Sequence, residues 1–205
     1  FLCGRKNSSL VYMVKELMQI SGHPLCGFYL HDHEKLHQLL LTLESAGQKA
    51  LLIGVTFGLL DFAEQYSMNL KHTQVMETGG MKGRREEWTR HQVHSYLKDK
   101  LGVSTIHSEY GMTELLSQGY SLGDGLFYPS STMRILIREV EDPFHIFGPN
   151  EISSRGIINV IDLANIWSCS FIATDDAGLL HSNGSFEVLG RVDNSDIRGC
   201  SLMVV

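Results

Sequence analysis

The sequence lacks three features that would place it in a broad class at once. No run of about 18 apolar residues occurs, so no membrane span is expected. Basic residues are not in excess, since the net charge is −6, and no nucleic-acid role is suggested. The four cysteines form no Cys-x-x-Cys pair, which is typical of reduced thiols and predicts a cytoplasmic protein.

The pattern of elements changes near residue 120. Before that point, helical patterns alternate with short apolar runs such as residues 50–55, which predicts a parallel sheet flanked by helices. After it, short alternating strands such as residues 133–137 follow one another with few helices between them. We therefore predict an α/β subdomain over residues 1–120 and a smaller, mainly antiparallel β subdomain over residues 121–205.

Capping residues and apolar runs predict individual helices and strands within the first subdomain. Asp32 is expected to cap a helix that Gly47 ends. The continuous apolar run at 50–55 predicts a strand buried on both faces. We also expect a short strand at 28–30 and an amphipathic helix over 86–101.

A glycine-rich segment follows the predicted strand that ends near Met76. Its three glycines, Gly79, Gly80 and Gly83, would let the backbone approach a flat ligand or an anion closely. On its own, the segment is better explained as a tight turn between strand and helix without any ligand.

A second candidate segment, residues 107–114, also follows a predicted strand. The hydroxyl of Thr113 suits a phosphate, the carboxylate of Glu114 suits Mg²⁺, and Tyr110 offers a flat face to a base. The alternative is a helix start in which Glu114 is favoured by the helix dipole.

A third segment places Asp175 and Asp176 after a predicted strand, and Arg191 lies further along the chain. A carboxylate there can accept hydrogen bonds from ribose hydroxyls, and the arginine can complete the contacts. An acidic turn and a surface arginine are the simpler interpretation.

Taken in this order and spacing, the segments resemble the nucleotide-site motifs of the adenylate-forming superfamily, which activates carboxylic acids with ATP. The resemblance implies that Gly79, Gly80 and Met81 border the adenine, and that Tyr110 stacks on it next to Gly111. It therefore implies ATP and Mg²⁺ as cofactors.

The same resemblance implies the remaining roles. Thr113 contacts the reacting phosphate and Glu114 holds Mg²⁺. Asp176 holds the ribose with help from Arg191, although Asp175, in the middle place of the family's Thr-Gly-Asp element, leaves the choice of aspartate open. Asp193 falls at the hinge of the superfamily's C-terminal lid.

Within the superfamily, the text at 161–176 and 190–202 resembles the LuxE-type acyl-protein synthetases, and the resemblance covers essentially the whole chain. Such enzymes form acyl-AMP from a fatty acid and pass the acyl group to a cysteine. The resemblance implies a fatty acid or other carboxylic acid as substrate, and an acyl-transferase and an acyl-reductase as partner proteins.

Two departures from the superfamily pattern bear on function. The Ser/Thr/Gly-rich phosphate loop is not found, and the first residue is Phe1, so we expect the C-terminal portion of a longer enzyme, inactive when isolated. No large lid follows the hinge, which favours acyl transfer to protein over transfer to coenzyme A.

Cys200 is the predicted acyl acceptor, because it directly follows the hinge and Arg198 would favour its thiolate. A small buried core residue is the simpler interpretation. Cys169 is the rival acceptor, although the apolar residues around it predict a core position.

Two other functions stay open at this point. One is a coenzyme A ligase that has lost its lid. The other is a nucleotide-binding or scaffolding domain without catalytic activity.

Overall fold

The computed structural model describes residues 9–30, 32–79, 88–148 and 153–192. The chain divides into two compact units, residues 1–107 and 108–205, which we call the N-terminal and C-terminal units. The division lies within the strand Ile106–Tyr110, N-terminal to the boundary at residue 120 that the sequence pattern indicates.

The N-terminal unit alternates helices and parallel strands. In chain order the elements are α1 (Ser9–Ser21), α2 (His33–Ser45), β1 (Ala50–Val55), α3 (Thr56–Gln65), β2 (Thr73–Thr78) and α4 (Arg90–Leu101). Strands β1 and β2 pair in parallel along their full lengths. Leu60 of α3, Val75 of β2 and Leu97 of α4 are fully buried in one core. The prediction of parallel strands flanked by helices is confirmed.

Side-chain caps decide where two of these helices begin. The Asp32 carboxylate accepts a hydrogen bond from Lys35 N at 3.1 Å, so the predicted cap of α2 is confirmed. At α4, the hydroxyl of Thr89 accepts from Gln92 N, and the Gln92 amide oxygen accepts from Thr89 N. This reciprocal cap starts the helix at Arg90, and Trp88 and Thr89 lie before it. The predicted start at residue 86 lies outside the described residues.

Two local predictions in this unit are wrong. Residues 28–30 form no strand, because the hydroxyl of Tyr29 donates to the carbonyl of Leu25 and holds the segment in a local loop. Strand β1 is not buried on both faces, since Leu51 is half exposed. In the described sheet β1 is an edge strand, and the face that carries Leu51 is only partly covered.

The C-terminal unit is an antiparallel sheet. Its strands are β3 (Ile106–Tyr110, from Ser108 onward), β4 (Gly119–Ser121), β5 (Leu126–Pro129), β6 (Met133–Arg138), β7 (Ser153–Asp162), β8 (Phe171–His181) and β9 (Phe186–Arg191). They lie in the order β3-β4-β5-β9-β8-β7-β6. Phe127, Ile158 and Phe186 are buried in its core. The predicted antiparallel β part is confirmed.

Within the described ranges, every helix is too short or too polar to cross a lipid bilayer.

The C-terminal end of α4 generates a stability prediction. Gly102 has φ +65°, and a Cβ there would lie 2.7 Å from Asn69 Cα, whereas Gly47 after α2 has φ +66° and open space around it. Gly47→Ala should lower the free energy of unfolding by about 1–2 kcal/mol, through left-handed backbone strain alone. Gly102→Ala should lower the free energy of unfolding by about 2 kcal/mol more, because the backbone at Asn69 must also move. Urea unfolding of both variants checks this, and equal losses would contradict it.

Candidate functional site

Three of the predicted site residues meet in the C-terminal unit. The hydroxyl of Tyr110, at the end of β3, donates a hydrogen bond of 2.8 Å to the Asp176 carboxylate on β8. Arg191 on β9 lies directly opposite Asp176 in the ladder, with its Nε 4.0 Å from Oδ1 of Asp176. Two segments 66 residues apart are thereby joined at one point.

The exposure of these groups differs. The Asp176 side chain is 21% exposed and that of Arg191 is 78% exposed, so their ion pair contributes little to stability by itself. Asp175 lies on the exposed side of the strand, and its backbone carbonyl accepts a hydrogen bond from Val192 N. The arrangement therefore joins Asp176, rather than Asp175, to Tyr110.

A threonine fixes the strand that carries Asp176. The Thr174 hydroxyl donates to the carbonyl of Ile158 at 2.8 Å and accepts from Asp176 N at 3.1 Å. The guanidinium of Arg138 donates to the carbonyl of Thr174 and to the side-chain oxygen of Asn159. These bonds fix the position of the backbone around Asp176 on β8.

Tyr110 is held in an apolar setting. Its ring meets the rings of Phe127 and Phe186 edge to face, and only 8% of the residue is exposed. Burial raises the pKa of the Tyr110 phenol far above its ordinary value, and the adjacent Asp176 carboxylate raises that pKa further. The phenol therefore stays protonated and remains a donor to Asp176.

Thr113 and Glu114 occupy an exposed turn that follows β3. The amide of Leu115 donates to the carbonyl of Met112 at 3.1 Å, which places the two residues at the centre of the turn. Gly111 precedes it, and a Cβ there would collide with the Glu109 carboxylate. The alternative interpretation of this segment as a helix start is wrong, since no helix follows.

The sequence analysis missed the residue that holds this turn. Asp162, at the end of β7, is fully buried, and its carboxylate accepts hydrogen bonds from Leu116 N, Ser117 N, Ser117 Oγ and Ala164 N at 2.6 to 3.0 Å. Burial alone would raise the pKa of the Asp162 carboxyl, but these donors outweigh it and lower that pKa. Two signals were available for it: an aspartate at the end of an apolar strand, and its place in the text at 161–176 that carries the resemblance.

Gly79 belongs to the N-terminal unit, where its φ of +73° requires glycine. Thr56 Oγ1 lies 2.7 Å from the Gly79 carbonyl oxygen and 2.7 Å from Oε2 of the buried Glu77. Nε2 of His94 lies 3.6 Å from the other oxygen of Glu77. The strand β2 and the start of α3 thus determine the conformation of this glycine.

Several predicted residues lie outside the described part of the chain. They are Gly80, Met81, Asp193 and Cys200. In the described ranges, no group of three or more His, Cys, Asp or Glu side chains forms a metal site on its own. The assignment of adenine, ribose, metal and acyl acceptor roles therefore stays a prediction.

The expected core position of Cys169 is wrong. The cysteine is exposed, and Trp167 and Phe171 beside it are 93% and 72% exposed. Strand β8 begins only at Phe171, so the apolar residues before it form a surface loop rather than part of the sheet.

Comparison with known proteins finds structural similarity to solved proteins. No known protein family and no curated protein matches the sequence. MatB from Rhodopseudomonas palustris, solved with bound ATP, is 17% identical with a TM-score of 0.52, over 78% of this chain and 33% of that one. Coronafacic acid ligase from Pectobacterium brasiliense is 17% identical with a TM-score of 0.53, over 78% and 32%.

This chain shares its fold with part of each of these proteins. It spans about a third of their length. The likeness confirms the predicted fold class, in which parallel strands with helices precede an antiparallel sheet.

Removing the Tyr110 hydroxyl should weaken the fold in a pH-dependent way. Tyr110→Phe should lower the free energy of unfolding by about 1–2 kcal/mol at pH 8, because a part-buried carboxylate loses its donor. The folded pKa is raised, so this contribution is full below the unfolded pKa of about 10 and is lost as pH rises above it. Urea unfolding from pH 8 to 11 measures the difference.

The control for this experiment is Tyr128→Phe, since Tyr128 is 48% exposed on β5. It should change stability by under about 0.5 kcal/mol. A Tyr110→Phe variant as stable as this control at pH 8 would mean that the bond to Asp176 contributes nothing.

Proposed function

We propose that this chain is the C-terminal part of an ATP-dependent ligase of the acyl-protein synthetase kind. In this proposal the enzyme activates a fatty acid as acyl-AMP and passes the acyl group to a protein cysteine. The observation that carries the proposal is the bond between Tyr110 and Asp176, which joins two motif segments distant in the sequence. The ATP bound to MatB, which shares the fold, supports a nucleotide as the ligand.

The nucleotide would lie against the Tyr110–Asp176 pair. Asp176 has one oxygen, Oδ1, that Tyr110 does not use, and this oxygen can accept from a ribose hydroxyl. Arg191 is largely exposed beside it, so its guanidinium is free to turn toward a phosphate or the ribose. Because Tyr110 stays a donor, Asp176 would keep its orientation when the ligand arrives.

The turn at Thr113 and Glu114 fits the metal of such a site. Mg²⁺ is commonly bound through one or two carboxylates together with the substrate's phosphates, rather than by a cage of side chains. A single exposed carboxylate beside a hydroxyl matches that mode. When bound, the metal would neutralise charge that develops on the phosphates during adenylation.

The metal role can be tested by Glu114→Gln in the full-length protein that we propose contains this chain. ATP–pyrophosphate exchange should fall roughly 100-fold, because a contact to the metal is lost in the transition state. Stability should change by less than about 0.5 kcal/mol, since Glu114 is exposed.

Glu141→Gln is the matched control, because Glu141 is an exposed glutamate of the same unit. It should leave exchange unchanged. Exchange that is equally fast in the Glu114→Gln variant would remove Glu114 from the metal site. No exchange in the unaltered full-length protein would instead favour a domain without catalytic activity.

The acyl-transfer step is the finer part of the proposal and depends on Cys200. The thiolate would attack the acyl carbonyl of acyl-AMP, a thioester would form, and AMP would leave with the bonding electrons. Arg198, two residues earlier in the sequence, supports a thiolate at this position.

The acceptor can be tested in the full-length protein with ATP, Mg²⁺ and labelled fatty acid. A label that neutral hydroxylamine removes should appear on Cys200, and Cys200→Ser should abolish it while sparing ATP–pyrophosphate exchange. Cys169→Ser is the control, since Cys169 is an exposed thiol of the same unit. Peptide mapping of the label to Cys169, or turnover that requires coenzyme A, would exclude Cys200 as acceptor.

A further inference from the structure

We propose that Asp162 and Asn165 are positioning residues that hold the Thr113–Glu114 turn in its working conformation. This inference rests on the proposed function, because it assumes that the turn contacts metal and nucleotide. Both residues lie within the text at 161–176 that carries the resemblance, but the resemblance gives neither of them a role. Both reach the backbone of the loop that contains the turn, and both side chains are buried beneath it.

The two residues hold the turn on its C-terminal side and in its middle. Asp162 Oδ2 accepts from Leu116 N at 2.7 Å and from Ser117 N at 2.9 Å. The side-chain amide of Asn165 donates to the carbonyl of Glu114 at 2.7 Å and to the carbonyl of Cys169 at 3.0 Å. The backbone is thus held at the Glu114 carbonyl and at the two amides that follow Leu115, while the Glu114 side chain stays exposed.

Further hydrogen bonds hold Asp162 and its partner Ser117 in place. Its backbone N donates to Ser170 O at 2.8 Å, and it pairs with Met133 at the end of the β6–β7 ladder. Ser117 Oγ donates to Asp162 and lies 2.6 Å from the hydroxyl of Thr132, which must then be the donor of that second bond. A charged carboxylate is required, because all its partners are donors.

Asparagine at position 162 cannot replace this carboxylate. Oδ1 accepts from Ser117 Oγ and Ala164 N, and Oδ2 accepts from two backbone amides, so an NH₂ group at either place faces two donors. Asp162→Asn should therefore release the turn without adding bulk. Asn165→Ala should release the carbonyls of Glu114 and Cys169 and leave the bonds to Asp162 in place.

The test uses nuclear magnetic resonance of the 205-residue chain, with Mg²⁺·ATP as the titrated ligand. In Asp162→Asn, amide exchange at Leu116 and Ser117 should quicken at least tenfold, while Ile158 in the β7 ladder keeps its rate. The Kd for Mg²⁺·ATP should rise about tenfold, as for other residues that orient a ligand group. Asn165→Ala should raise the Kd for Mg²⁺·ATP by a smaller factor.

Coupling to Glu114 separates positioning from a general loss of stability. Asp162→Asn and Glu114→Gln should not add in the double variant, because both act through the same carboxylate. Asp142→Asn is the control. Its carboxylate also accepts a backbone amide, that of Phe144, but lies in an exposed turn. It should leave the Kd unchanged.

Each outcome decides one of the two claims. Unchanged exchange at Leu116 and Ser117, or additive effects on Kd, would overturn the positioning role and leave the proposed function standing. Faster exchange confined to these amides, with no Mg²⁺·ATP binding by the unaltered chain, would support the hold on the turn and count against the nucleotide site.

Discussion

A buried carboxylate needs hydrogen-bond donors, and in this chain the donors of such carboxylates link loops to strands. Burying an unpaired charge costs several kcal/mol, so each such group gathers several N–H or O–H partners. Asp162 does this between β7 and the loop after β3. Glu44, which is only partly buried, makes a similar link in the N-terminal unit, where it accepts from the backbone of Lys71 and His72 and from the hydroxyl of Thr73 at the start of β2. In both cases an acidic side chain replaces apolar packing where a loop joins the sheet.

The sequence predicted the elements whose signals are local. The cap at Asp32, the parallel pair β1 and β2 and the antiparallel run from β6 onward all follow from periodicity and capping. Strands β4 and β5 were not predicted, because three or four residues show too little alternation to stand out. Residues 28–30 have the composition of a strand, but a hydrogen bond within the loop prevails over that propensity.

The site was predictable as a set of residue types and not as a network. Spacing along the chain indicated Tyr110, Asp176 and Arg191, and the fold brings these three together. The supporting residues Thr174, Asp162 and Asn165 lie in the text that carries the resemblance, but they act through bonds to backbone groups, which a residue pattern does not show. Long-range hydrogen bonds of this kind depend on strand register, which short motifs leave undetermined.

The hydroxyl of Thr56 faces two oxygens and has one proton. Both the Gly79 carbonyl and Oε2 of Glu77 lie 2.7 Å from it, and a neutral hydroxyl can donate fully to only one of them at a time. The glycine turn and the buried acid therefore compete for the same hydrogen. Donation to Glu77 leaves the Gly79 carbonyl without the Thr56 proton, so the attachment of the turn to α3 depends on the orientation of one hydroxyl group.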